Sequence, residues 1–385
     1  MRAVVCHQGT LSVEDVPAPA AGPGQLLLDV ARCGICGSDL HARHHADELS
    51  DVVAEVGYTT AMRPGHRVVL GHEIVGRVAS YGPDTRRRWK PGALVVALPV
   101  VRTGGEVHLV GFDTAAPGGL AEQTVVQEAF TFPVPDGTPV DRAAFTEPLA
   151  VAWHAVRRGA VGRNQPAIVV GCGPIGLAVI LMLKASGVRQ VIASDLSAGR
   201  RALARACGAD VVVDPRERQP FAAYDQKGPV RTLPDYLGFG IDTMSRLRRV
   251  PLLPWERLMR VADTLGATPS GPVVFECVGV PGMIEQIAGA APLHTRVVVV
   301  GVCMEADRFR PAMGIHKELD LRFVFGYDPA EFAHVLGLIA AGKVDPSPLH
   351  TGTVGLDGVA GAFDALGDPE KHAKILVDPG SAATL

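Results

Sequence analysis

The sequence predicts an α/β protein of two domains, a small irregular all-β domain followed by a doubly wound parallel sheet. Three observations predict it. Up to about Ala144 the chain consists of short β-type runs broken by Gly and Pro. From Ala167 onward, short apolar runs alternate with helical stretches, the texture of strands that are buried on both faces. The first junction of strand and helix carries Gly171, Gly173 and Gly176 in the pattern GxGxxG. With 385 residues, 47% of them hydrophobic, the chain is long enough for two substantial cores.

Residues 68–70, 74–78 and 94–98 read as strands of the first domain. Residues 167–170 form a buried strand, and 175–185 an almost wholly apolar helix that must be covered on most sides. The next strand, 191–194, ends at Asp195; Ser197 is placed to cap the following helix and Gly208 to end it. Strands at 211–213, 273–275, 297–300 and 321–325 continue the alternation. Residues 329–341 read as a helix stopped at Gly342, and 374–377 have strand character. Between two sheet strands lie the 58 residues 215–272, too many for a plain connection. There Pro254 suits a first helical position, and Trp255, Leu258, Met259, Ala262 and Leu265 recur at helical spacing. A helical hairpin packed on its own domain is the plainest reading, with a lid or an oligomer contact as alternatives.

Lys and Arg number 37 against 40 Asp and Glu, a net charge of -3 that provides no general field for nucleic acid or an anionic membrane. The run Arg86, Arg87, Arg88 and Lys90 reads as a solvated loop. The opening MRAVVCHQG lacks the apolar stretch of a secretory leader, and no run reaches bilayer-spanning length, so a cytoplasmic protein is expected. Seven scattered cysteines make no disulfide framework and suit a reducing compartment.

In the glycine turn, Gly171 permits the tight bend and Gly173 the approach of a pyrophosphate. Pro174 and Ile175 open the helix, and Gly176 lets it pack closely. Asp195, 19 residues beyond Gly176, is placed to accept hydrogen bonds from the adenosine ribose; its charge repels a 2′-phosphate and favours NAD over NADP. Arg200 is the counter-argument, because a nearby guanidinium accommodates that phosphate, although it could also pair with Asp195 or flank the adenine.

Cys36 in CGICGSDLH and His72 in GHEIVG supply a thiolate and an imidazole, two of the three protein ligands of a catalytic zinc. Cys33 and Cys36 as CxxC also admit a redox pair or half of a zinc knuckle. Neither fits well, since the chain has no second CxxC and the motif does not open a helix of a βαβ unit.

At these residues the chain resembles the zinc-dependent medium-chain alcohol and polyol dehydrogenases. CGICGSDLH, GHEIVG, TEPLAVAWHAV from Thr146 and the glycine fingerprint occur in the family's order, and the likeness spans nearly the whole chain. It implies a GroES-like irregular β-barrel catalytic domain over 1–147, to which 327–385 return. A Rossmann domain would then occupy 148–326, with an inserted segment at about 215–272.

The resemblance also assigns residues. Cys36, His72 and Glu147 are the implied zinc ligands, as in the sorbitol and threonine dehydrogenase branch, and Glu73 is a carboxylate beside the metal or an exchangeable ligand. Ser38 contacts the substrate oxygen, His41 is the outer proton relay, and the backbone at Gly301 meets the nicotinamide carboxamide. Asp39 reads equally as an orienting partner of a ligand histidine or as a turn residue, His154 as a hydrogen-bonded core histidine, and Cys172 as a packing residue. Cys33 corresponds to no ligand.

The chain departs from the family in three places. No cysteine lies between Cys36 and Cys172, so one catalytic zinc and no structural zinc are expected. Residues 42–71 form a longer connection carrying His44, His45 and His66, read as a polar surface loop near the substrate mouth, with an added metal site as the alternative. The third departure is the 215–272 interval.

The implied activity is reversible NAD-linked oxidation of a secondary alcohol, polyol or amino alcohol to the ketone by hydride transfer, in a homodimer or homotetramer. Zinc would act as the Lewis acid. An aldehyde or formaldehyde dehydrogenase or dismutase with tightly held NAD, and a non-catalytic dinucleotide-binding protein, are the alternative readings.

Overall fold

The computed structural model describes residues 1–162, 165–224, 232–264 and 270–385. They divide into two units: Met1–His154 with Gly173–Ala185 and Gly326–Leu385, and Ala155–Cys172 with Ser186–Phe325.

The second unit contains a six-stranded sheet in the order Val211–Val213, Val191–Ser194, Ala167–Val170, Val273–Glu276, Arg296–Val299 and Asp320–Phe323. Every neighbouring pair is parallel. Numbered along the chain this order is 3-2-1-4-5-6, the doubly wound arrangement of a dinucleotide-binding fold. Ile168, Ile192, Val274 and Val297 pack at its centre, which explains why its strands read as apolar runs rather than alternating ones. The last strand ends two residues before its expected end, and Phe325 is left 94% exposed. Ser197 caps the helix Ala198–Ala206 by accepting the Arg200 N–H at 3.0 Å, and Gly208 leaves that helix with φ +98°.

In the first unit, a seven-stranded sheet is built around the strand Gln25–Gly34, which pairs antiparallel with Glu73–Tyr81 on one side. On the other side the late strand Lys374–Val377 joins it, with Leu376 opposite Gly34 and Val377 opposite Cys33. His350–Val354 then adds in parallel. Leu26, Leu28, Ile74, Val95, Ile375 and Val377 share one core.

The all-β expectation for this region is corrected by the helices Gly37–His44 and Ala46–Glu55. The first is short and mostly polar, and its starting signal is Asp39 reaching back to the N–H of Cys36 rather than a Ser, Thr or Asn cap. The second replaces part of the polar loop expected over 42–71.

The long interval holds the helices Leu233–Leu247 and Trp255–Thr264. Thr232 and Asp235 form a capping box at the start of the first, and Pro254 directly precedes the second. Leu265 lies outside the described residues. No residue of the first helix is buried, and Leu237, Ile241, Leu258 and Val261 are exposed, so the expected packing of this hairpin onto its own domain is sparse. Among the described residues no helix is long and apolar enough to cross a membrane.

Candidate active site

Three elements of the first unit carry the sequence-predicted metal residues. Cys36 caps helix Gly37–His44, His72 immediately precedes strand Glu73–Tyr81, and Glu147 lies in the first turn of helix Thr146–Gly159. Gly71 bends the chain into His72 with φ +97°; a Cβ there would come within 2.8 Å of Cys33 Sγ, so the bend requires glycine. Gly34 is equally constrained, because its Cβ would overlap Glu73 Oε2.

Cys36 Sγ, a ring nitrogen of His72 and a carboxylate oxygen of Glu73 all lie within 4.8 Å of one another; among the described residues no other such trio occurs. Asp39 is fully buried and organises it. One of its oxygens accepts the Cys36 N–H at 2.8 Å, while the other lies 3.3 Å from His72 Nδ1. With Nδ1 so engaged, Nε2 is the nitrogen left for a metal, and Ser38 Oγ lies 3.3 Å from it. Burial opposes a charge on His72, but the adjacent Asp39 carboxylate outweighs it and holds the pKa well above the ordinary value.

Glu73 is completely buried and paired with Lys374, whose Nζ donates to Glu73 Oε1 at 2.5 Å and to the Ile35 carbonyl at 3.0 Å. The other oxygen, Oε2, has no hydrogen-bond partner. A buried acceptor without a partner is costly unless a cation or donor faces it. A thiolate, an imidazole and an orphaned carboxylate oxygen match the donor set that zinc takes.

Glu147 stands outside the trio. Its Oε1 accepts the Tyr327 hydroxyl at 3.0 Å. Burial pushes its pKa up to about 7, His72 pulls against that, and Glu73 adds to it. Tyr327 is itself raised by burial and by the Glu147 charge.

Both upward shifts give the native metal-free protein more bound protons than the unfolded chain: Glu147 from about 4.5 to 7, and His72 above 6.5. Stability of the metal-free protein therefore falls as pH rises through this range. Denaturation in the presence of a chelator checks the sign: the midpoint is expected to be lower at pH 8 than at pH 5.5, and a midpoint that rises contradicts it.

His41 lies at the exposed end of helix Gly37–His44, with its pKa lowered by partial burial and by His45; their ring centroids are 6.2 Å apart. His44, His45 and His66 are exposed. His154 is hydrogen-bonded to the buried Glu331 at 2.9 Å, and Cys33 is a buried thiol whose pKa is raised by burial.

Gly171 adopts φ +88°, and a Cβ there would strike Val278 at 2.7 Å. At Gly173 a Cβ would meet nothing within 4 Å, which leaves the turn open where a phosphate would approach. Pro174 and Ile175 begin the helix Pro174–Ala185, and Gly176 is buried in it. Asp195 accepts the Cys172 N–H at 2.7 Å and the Ser197 N–H at 2.8 Å, so it braces both the glycine turn and the next helix.

Arg200 Nε is buried without a hydrogen-bond partner. Arg201 instead donates to the Asp195 carbonyl at 2.9 Å and pairs with Asp214 at 3.0 Å, and Arg216 pairs with the same carboxylate. Gly301 donates its N–H to the Glu276 carbonyl at 2.9 Å; a Cβ on it would come within 2.4 Å of Gly279 N.

Lys374, Tyr327, Arg201 and Arg216 join the site without any motif of their own in the sequence. A basic residue within an otherwise apolar strand was the available signal for Lys374.

A doubly wound sheet followed by a glycine turn, together with a half-buried cysteine sulfur and a buried imidazole and carboxylate, define an oxidoreductase that combines zinc with a nicotinamide cofactor. Residues 22–136 match the alcohol dehydrogenase GroES-like domain, and residues 174–231 match the zinc-binding dehydrogenase domain. The (R,R)-butanediol dehydrogenase of Neisseria gonorrhoeae (strain ATCC 700825 / FA 1090) is 30% identical over 390 residues, covering 97% of this chain and 98% of that protein. Human sorbitol dehydrogenase is 29% identical over 375 residues, covering 94% and 91%. A zinc-binding dehydrogenase from Sinorhizobium meliloti 1021, solved bound to NADP, superposes with a TM-score of 0.74 at 26% identity, covering 98% of this chain and 99% of that one. The chain belongs to the zinc-dependent medium-chain dehydrogenase family and is an alcohol dehydrogenase of that family.

Proposed function

We propose that the protein catalyses the reversible NAD-linked oxidation of a secondary alcohol, polyol or amino alcohol to the ketone. The observation that carries the reading is the trio of half-buried Cys36 with buried His72 and Glu73, and its orphaned Oε2. Its similarity to butanediol and sorbitol dehydrogenases supports a diol or polyol as substrate.

Cys36 and His72, with Glu147 or Glu73 as the carboxylate ligand, would hold the zinc, which would supply Lewis-acid chemistry that lowers the pKa of an alcohol. The chain's own residues do the rest. Asp39 fixes the ring of His72 through Nδ1. Lys374 neutralises one oxygen of Glu73 and leaves the other without a partner. Ser38 Oγ, within reach of His72 Nε2, would accept the alcohol proton as its own hydroxyl proton passes on through the cofactor ribose to His41, which, with its lowered pKa, is neutral near pH 7 and can hand the proton to solvent.

In this reading residues 1–147 and 327–385 carry one zinc per chain, and 148–326 carry the cofactor through Gly171, Gly173, Pro174, Ile175, Gly176, Asp195, Arg200 and Gly301. The enzyme is cytoplasmic and works as a homodimer or homotetramer.

NAD is preferred because the Asp195 carboxylate would face a 2′-phosphate, although three arginines lie near it. Asp195→Ala removes that charge together with one brace of the glycine turn and one of the next helix. The expected result is weaker NAD binding and an NADP-to-NAD ratio of kcat/KM raised about tenfold or more, the scale of one charged contact. An unchanged ratio would remove Asp195 from cofactor selection. A screen of alcohols and polyols followed at the NADH absorbance tests the activity as a whole; no NADH from any of them would refute it.

A further inference from the structure

The segment that follows the hairpin of strands Val100–Thr103 and Glu106–Leu109 presses against the metal residues, and its anchoring involves residues that no catalytic role accounts for. The Phe112 ring lies 4.9 Å, centroid to centroid, from the imidazole of His72, tilted by 39°, and is half-buried. Gly111, with φ +85°, packs so closely that a Cβ would come within 2.8 Å of the Gly71 carbonyl oxygen. The next residue, Asp113, is only 2% exposed. Its Oδ2 meets His108 Nδ1 at 2.8 Å and the Tyr58 hydroxyl at 3.0 Å, and its Oδ1 accepts the Ala115 N–H at 2.9 Å.

The same Tyr58 hydroxyl accepts the Leu109 N–H at 2.8 Å, so one oxygen ties both flanks of Phe112. Tyr58 belongs to the connection 42–71 that departs from the family. That connection holds Phe112 a second time, because the Met62 N–H donates to the Phe112 carbonyl at 2.8 Å while Ser50 Oγ donates to the Met62 carbonyl. A buried carboxylate satisfied by three donors fixes local geometry far more sharply than apolar packing does.

The geometry points to Asp113 and Tyr58 as positioning residues that hold the Phe112 ring against His72, making Phe112 the wall that limits the size of the group beside the metal's open position. The inference rests on the metal site of the proposed function. With the ring held in place, the smaller substituent on a carbinol carbon is kept short; with the ring removed or loosened, longer substituents enter.

The test uses the full-length enzyme and the variants Phe112→Ala, Asp113→Asn and Tyr58→Phe, with Phe112→Leu as a milder change should the alanine variant fail to fold. Two ratios are read. The first is kcat/KM for 3-hexanol over 2-butanol with NAD. The second, independent of turnover, is the affinity of the cobalt-loaded protein for 4-phenylimidazole over imidazole, followed by the cobalt absorption bands.

Both ratios are expected to rise about tenfold in Phe112→Ala, the scale of a pocket reshaped by one or two methylene groups. In Asp113→Asn and Tyr58→Phe they rise about threefold, chiefly through KM and with the unliganded cobalt bands unchanged. Unchanged ratios in the Phe112 variants overturn the wall. A rise there without one in Asp113→Asn and Tyr58→Phe, or an equal loss for both alcohols, overturns the positioning role. Failure of the proposed function looks different: the unmodified protein then takes up no cobalt and oxidises neither alcohol, which also removes the inference.

Discussion

Cys36→Ser is expected to strip the protein of zinc and lower kcat/KM by about 10³-fold or more, the scale of losing the principal electrostatic stabiliser of a reacting oxygen. The thiolate is the trio's one soft anionic donor, whereas a serine hydroxyl stays protonated near neutral pH and binds zinc poorly. This substitution also separates chemistry from folding. Cys36 caps helix Gly37–His44, and serine is a strong N-cap residue, so the helix start and the Asp39 contact to the backbone N–H of residue 36 persist. Metal analysis of the purified variant, with its melting curve recorded in chelator, checks both halves. Full zinc content with normal turnover would show that the metal lies elsewhere.

The second large effect concerns stability. Lys374 is 1% exposed and Glu73 is completely buried, and their 2.5 Å contact lies between residues 301 positions apart in sequence. Lys374→Met removes the cation and leaves a buried carboxylate, a change that costs about 3–5 kcal/mol when one partner of a buried pair is lost. The loss of the donor to the Ile35 carbonyl adds to this. Because the cost comes from the stranded charge, the double variant Glu73→Gln/Lys374→Met should recover a large part of it. Urea denaturation of the two variants decides: a double variant as unstable as Lys374→Met would show that the cost is lost packing instead.

How much of this was legible in the sequence follows from the range of each interaction. The glycine turn, the strand ending at Asp195 and the cap at Ser197 are local, set by residues within one strand–turn–helix unit, and all three occur where the residues place them. Cys36 and His72 were legible as metal donors from their chemistry and from flanking motifs. Helix Gly37–His44 was not legible, because its polar face and short length give no periodic signal and its capping group is a cysteine.

The long-range partners were not legible either. Lys374 reads as part of an apolar strand, and only its register beside Gln25–Gly34 brings it to Glu73. Tyr327 reaches Glu147 from 180 residues away, and Asp113 reaches Tyr58 from 55 away. Such contacts depend on sheet order and register, which residue pattern alone does not determine.

The carboxylate contribution shows the same limit. Glu147 was assigned as a zinc ligand through resemblance, whereas the trio that lies within 4.8 Å contains Glu73 and leaves Glu147 paired with Tyr327. Either carboxylate can complete three protein ligands, and the raised pKa of Glu147 means that it must lose a proton before it can do so near neutral pH.

A crystal of the active, zinc-loaded protein, measured on both sides of the zinc absorption edge, tests the central claim most directly. The account predicts one anomalous peak per chain in this pocket, about 2.3 Å from Cys36 Sγ and about 2.0–2.1 Å from His72 Nε2, with a carboxylate oxygen of Glu73 or Glu147 as the third protein ligand. A peak that is absent from active crystals, or that lies away from Cys36 and His72, would contradict it.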